Sequence, residues 1–158
     1  MLGFFMLQAL AAVIIALPIL SAATGETSSA PILTIGLVLS VGGMIGVTIS
    51  DRQLAGFVHQ QANKGKICRV GLWSWSRHPN YFFEWVLWIG YLPLGWAAPE
   101  GTWLVALPFI LYLFLTKITG IPFVEARKLE VSGKAYATYV ERTSAFFPWP
   151  PENRDSSS

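Results

Sequence analysis

Residues 77–91 read Arg-His-Pro-Asn-Tyr-Phe-Phe-Glu-Trp-Val-Leu-Trp-Ile-Gly-Tyr, which sets a guanidinium, an imidazole, an amide, a phenol and a carboxylate at the mouth of an apolar run. A carboxylate inside a membrane helix costs several kcal/mol unless it is paired or protonated, so Glu84 reads as a functional position. Asn80 and Glu84 are four residues apart and Tyr81 and Glu84 three, so a helix presents all of them on nearly one face. Pro79 suits the first turn of that helix, and the positive end of its dipole then faces Arg77 and His78. Lys64-Gly65-Lys66, Arg69 and Gly71 lie just upstream. Cations beside glycine-exposed amides and a helix N-terminus make a phosphate site. The chemistry these types imply is the binding of a charged cofactor at a membrane surface. The alternative is a polar cluster that only holds helices together.

A second group of polar residues follows near the C-terminus: Glu125, Arg127, Lys128, Tyr136, Tyr139 and Arg142. His59 is the only histidine besides His78, and no Cys/His set has metal-ligand spacing, so no metal site is expected. No nucleophile elbow is present either. His78 therefore reads best as a donor to a phosphate or ribose oxygen. The single cysteine, Cys68, cannot form an internal disulfide.

The elements that must position these groups follow from composition. The 158 residues are 53% hydrophobic and only 13% charged, about half the charge a soluble domain uses to wet its surface. An all-α, polytopic membrane bundle is expected, one domain over residues 1–151. Helices are predicted at about 2–23, 31–50, 80–98 and 102–118, each apolar enough to enter ~30 Å of hydrocarbon. An amphipathic helix at about 123–140 and a disordered tail at 152–158 complete the chain. Residues 2–23 read as a retained helix rather than a signal peptide, since no basic segment precedes them. Gly42 and Gly46, four apart on the second helix, offer a smooth contact face. Most of the tryptophans fall near predicted helix ends, where an interfacial belt is the expected role.

All eleven Lys and Arg fall in two regions: five between residues 51 and 78, and six from Lys117 onward. The two short connecting turns carry none. The positive-inside rule then puts both basic regions and both termini in the cytoplasm, in a bacterial inner membrane or the endoplasmic reticulum. A net charge of +2 gives no reason to expect nucleic acid, and no protein partner is inferable. The expected partners are membrane lipids and a lipid-like small molecule.

Residues 71–85, Gly-Leu-Trp-Ser-Trp-Ser-Arg-His-Pro-Asn-Tyr-Phe-Phe-Glu-Trp, with Asp51-Arg52-Gln53, Asn63-Lys64-Gly65-Lys66 and the closing run 139–148, resemble the signature of an uncharacterised membrane family, DUF1295. That family resembles the steroid 5-alpha-reductase-like group, which is related to sterol reductases and isoprenylcysteine carboxyl methyltransferases. The resemblance implies an NADPH-dependent reductase acting on a carbon–carbon double bond of a steroid- or isoprenoid-like lipid. It implies that Asp51, Arg77, His78, Asn80, Tyr81, Tyr139 and Arg142 contact the cofactor, and Lys66 of the basic loop and Glu125 of the cytoplasmic helix are counted with them as cofactor-binding candidates. Glu84 and Tyr81 would be the catalytic pair, with Glu84 near the nicotinamide end, and Arg142 would take the 2′-phosphate.

Two features depart from the family pattern: Phe83 stands where relatives carry glycine, and only two predicted helices precede the signature. Phe83 is expected to obstruct a neighbouring helix or the cofactor. A methyltransferase using S-adenosylmethionine is the second reading, with Glu125 as its cytoplasmic carboxylate. A shortened, non-catalytic relative is the third.

Overall fold

The computed structural model describes residues 29–95 and 105–151. The predicted helix at 2–23, the turn near residues 97–101 and the tail at 152–158 lie outside them. Every regular element among the described residues is helical, and the one β-type pairing is an isolated parallel bridge between Ser76 and Ser144.

Helix α1 runs from Ala30 to His59, nine residues past the expected end. The apolar run ends at Asp51 and Arg52, but residues 51–59 contain no proline, the single glycine there, Gly56, costs only about 1 kcal/mol, and a helix satisfies its own backbone in water as in lipid. Along α1 the small residues Gly36, Gly43, Gly46 and Ser50 are buried, whereas Ile35, Leu37, Val38, Met44 and Ile45 are exposed. This inversion of the water-soluble pattern is what lipid exposure demands. Gly42 is not on the contact face: a Cβ there would meet nothing within 4 Å. The buried set follows the 3.6-residue period through Gly43, which leaves Gly42 a full residue's rotation away.

Helix α2 spans Pro79–Gly95 and contains Pro93. Helix α3 spans Ala106–Leu113 and continues as a π-turn, Phe114–Ile118, closed by the Thr119 amide donating to the Phe114 carbonyl at 2.8 Å. Helix α4 spans Ile121–Arg142 with proline in its first turn. Two helical stretches, Ala30–His59 and Ala106–Arg142, are long and apolar enough to cross a membrane. The apolar part of the second precedes α4, which carries seven Glu, Lys and Arg residues among its 22.

The described residues gather into two compact units, one of residues 29–42, 86–95 and 105–110, the other of 43–85 and 111–151. In the first, α1 and α2 approach backbone to backbone: a Cβ on Gly36 would lie 2.8 Å from the Gly90 carbonyl oxygen. The second holds all the sequence-selected site residues. There, the phenyl ring of Phe83 occupies the space that a side chain on Gly46 would need. The expected obstruction is thus met by a glycine opposite, and Phe83 acts as a wedge between α1 and α2.

Helix α4 is not continuous. Gly133 adopts φ 46° and ψ −124°, a conformation that costs an L side chain dearly. The break separates a first segment bearing Glu125 and Lys128 from a second bearing Tyr136, Tyr139 and Arg142.

Candidate functional site

The site is built where the loop preceding α2 meets α4 and the segment after it. The loop turns through a short 3₁₀ segment, Gly71–Ser74. The Leu72 amide donates to Gln53 Oε1 at 2.9 Å, and the Trp73 indole donates to the Ser50 carbonyl at 2.9 Å. Trp73 is therefore a buried clamp onto α1 and not part of an interfacial belt. Its position beside the polar stretch misleads the sequence reading, because the indole N–H finds a backbone partner inside the protein.

Ser76, Arg77 and His78 follow. The Ser76 hydroxyl donates to the Phe146 carbonyl at 2.9 Å and accepts the His78 amide at 3.1 Å, bracing the entry to α2. The Arg77 amide donates to the Ser144 carbonyl at 2.8 Å, and the Trp149 amide donates to the Trp75 carbonyl at 3.0 Å. Residues 144–149 thus strap the loop in place. Sequence reading overlooked Ser76, which lies three residues ahead of the helix-starting Pro79 and so outside the cap position that a start signal occupies.

Arg77 is 8% exposed and its donors are heavily engaged. Nε donates to Glu125 Oε1 at 2.7 Å and Nη2 to Glu125 Oε2 at 3.2 Å. Nη1 donates to the Val140 carbonyl at 2.9 Å and to the Thr143 carbonyl. His78 Nε2 lies 3.1 Å from the same Glu125 Oε1. An ionised carboxylate only accepts, so that nitrogen carries the ring proton. The imidazole stacks on Tyr81, centroids 5.4 Å apart and planes 8° from parallel.

Burial alone would raise the Glu125 carboxyl, but hydrogen bonds from His78 and Arg77, and their charges, outweigh it and hold it below the ordinary range. Burial pushes the Tyr136 phenol up to about 12, helped by the Glu125 charge, and raises Tyr139 further. The Tyr139 hydroxyl donates to the Trp73 carbonyl, and the Arg69 guanidinium lies over its ring, 5.1 Å from the centroid. Burial likewise raises the Cys68 thiol.

Beside this network lies a cavity of about 200 Å³. Lys66, Arg77, His78, Asn80, Tyr81 and Tyr139, all selected from sequence, line it, together with Cys68, Trp73, Lys128 and Tyr136. Asn80 Oδ1 is enclosed and has no hydrogen-bond partner. Four sequence-selected residues, Asp51, Glu84, Glu125 and Arg142, do not line this cavity. Asp51 is exposed on α1, Glu84 sits one turn further along α2 than Asn80, and Arg142 borders a separate open groove with Thr143, Phe147 and Trp149. Glu125 stands behind the cavity wall, bonded to Arg77 and His78. A cluster of Phe82, Trp85, Tyr112, Phe146 and Phe147, with centroids 5.2–6.4 Å apart, packs beneath the strap.

The lining suits a phosphate-bearing, ring-containing ligand, since it combines lysine ammonium groups with aromatic and aliphatic walls and contains no carboxylate. A family model described as a protein of unknown function (DUF1295) matches residues 1–143. No curated protein and no solved structure matches the chain.

Proposed function

This chain belongs to the DUF1295 family, and from that premise we propose that it is a membrane-embedded, NADPH-dependent reductase of the steroid 5-alpha-reductase-like group. Its substrate is a flat, apolar lipid with a reducible carbon–carbon double bond, of steroid or isoprenoid type. Four helices cross the membrane, both termini lie in the cytoplasm, and the cofactor enters from that side. The observation that carries the reading is the cavity at the start of α2, where Lys66, His78, Asn80, Tyr81 and Tyr139 converge.

NADPH, when bound, supplies a hydride. The residues here bind and orient: Lys66 attracts phosphate, while Asn80 and Tyr81 offer an amide and a phenol. Arg77 and Glu125 neutralise one another and fix the wall from behind. Glu84, deeper along α2, is the group proposed to orient the nicotinamide end.

The S-adenosylmethionine reading asks Glu125 to meet the cofactor, yet its carboxylate is held by Arg77 and His78. The reductase reading is therefore preferred. Thermal unfolding of the detergent-purified chain tests it, with NADPH, NADH or S-adenosylmethionine at one hundred times a working dissociation constant. A true ligand stabilises by ~2.7 kcal/mol, a shift of several degrees. A shift with NADPH supports the reductase, a shift with the sulfonium alone replaces it by the methyltransferase, and no shift favours the non-catalytic reading.

A further inference from the structure

We propose that Lys66 and Lys128 together form the subsite for the 2′-phosphate of the dinucleotide, and so set the preference for the phosphorylated cofactor. The inference rests on the nucleotide reading above but moves the discriminating role away from Arg142, which borders a different groove.

Lys66, from the loop after α1, and Lys128, from the first segment of α4, line one cavity. Both are exposed, and neither ammonium group makes a hydrogen bond or ion pair among the described residues. Arg77 lines the same cavity but has its charge answered by Glu125 and its Nη1 committed to two carbonyls. The two lysines are thus the cations lining this cavity whose side chains are available to an anion.

A phosphate monoester carries a charge of about −1.5 to −2 near neutrality, which two compact, three-donor ammonium groups match. A monoester also ends its branch of the ligand, so it can lie at a wet rim, where both lysines stand. A pyrophosphate lies mid-ligand, between two nucleoside halves, so a pair of cations at a rim suits it less well than it suits the terminal monoester. Sites that prefer the unphosphorylated dinucleotide place a carboxylate on the ribose 2′-hydroxyl. No Asp or Glu lines this cavity.

The test is binding of NADPH, NADH, 2′,5′-ADP and 5′-AMP to the full chain in nanodiscs, for the wild type and for Lys66→Gln, Lys128→Gln, the double variant and the charge-preserving Lys66→Arg/Lys128→Arg. Each single glutamine variant should weaken NADPH and 2′,5′-ADP about tenfold, the scale of one charge-assisted contact. NADH should stay within about twofold, and the arginine pair should retain binding. Equal weakening of NADPH and NADH assigns the lysines to another phosphate and overturns the proposal. Unchanged NADPH affinity in the double variant overturns it while leaving the reductase reading intact. Lysine-dependent binding of 2′,5′-ADP without any NADPH binding keeps the phosphate subsite and removes the reductase. Wild-type protein that binds none of the four removes both.

Discussion

Glu125 is held by both edges of the Arg77 guanidinium, Nε to Oε1 at 2.7 Å and Nη2 to Oε2 at 3.2 Å, with side chains only 8% and 16% exposed. Removing one member of such a pair leaves an uncompensated buried charge, at a cost of about 3–5 kcal/mol. Glu125→Ala should therefore lower the thermal midpoint by many degrees, more than any single substitution on the outer face of α1. Its effect is read by unfolding in detergent.

The same pair sets an acid limit. The folded Glu125 carboxyl titrates below its unfolded value of about 4.3, so its stabilisation is complete above that value and is lost as pH falls through the folded one. Wild type should lose thermal stability on acidification below pH ~4. Glu125→Gln, already destabilised, should show a flatter response across that window.

At the alkaline end the sign reverses. Tyr136 titrates at about 12 when folded, against about 10 when unfolded. The unfolded chain loses its proton first, so stability is intact below pH ~10 and falls as pH rises toward the folded value. Tyr136→Phe should blunt that decline. Tyr139→Phe, which also removes a buried hydrogen bond to the Trp73 carbonyl, should cost about 1–2 kcal/mol at neutral pH.

Phe83 and Gly46 should behave as a coupled pair. Gly46→Ala puts a methyl where the phenyl ring lies and should cost about 1–3 kcal/mol by overpacking. Phe83→Ala relieves that clash, so the double variant should be more stable than the two single losses sum to. A double-mutant cycle with no coupling would remove the wedge role.

Cys68 is the only cysteine of the chain, is 7% exposed, and lines the cavity. With its thiol raised by burial, little thiolate is present at neutral pH. Maleimide should label the folded protein slowly and the denatured protein rapidly. Bound NADPH should slow labelling further, whereas equal rates with and without it would separate Cys68 from the cofactor cavity.

Much of this was legible in the sequence because it depends on local spacing. The 3.6-residue period and Pro79 fix α2 to within a residue of its expected start, and the apolar composition fixes the all-helical class. The polar cluster in residues 77–81 was visible as types that a plain membrane helix does not need. What stayed hidden depends on long-range pairing. Nothing local distinguishes a phosphate-binding Arg77 from one committed to Glu125, forty-eight residues away. Trp73 looked interfacial because its partner, the Ser50 carbonyl, carries no side-chain signal. The break at Gly133 was masked by charged residues on both sides, which keep a helical pattern across it.

The strap formed by residues 144–149, with the Thr143 carbonyl just before it, has a consequence for biosynthesis. Translation proceeds from the N-terminus, so Arg77 leaves the ribosome forty-eight residues ahead of Glu125 and sixty-six ahead of Thr143. For all of that interval the nascent chain carries a guanidinium whose final partners do not yet exist, and water or lipid headgroups must serve in their place. Residues 144–149, which close the assembly, emerge after the loop they hold. A stop codon shortly before residue 143 would therefore spare α1, α2 and α3 and still yield a protein whose Arg77 is never fully satisfied.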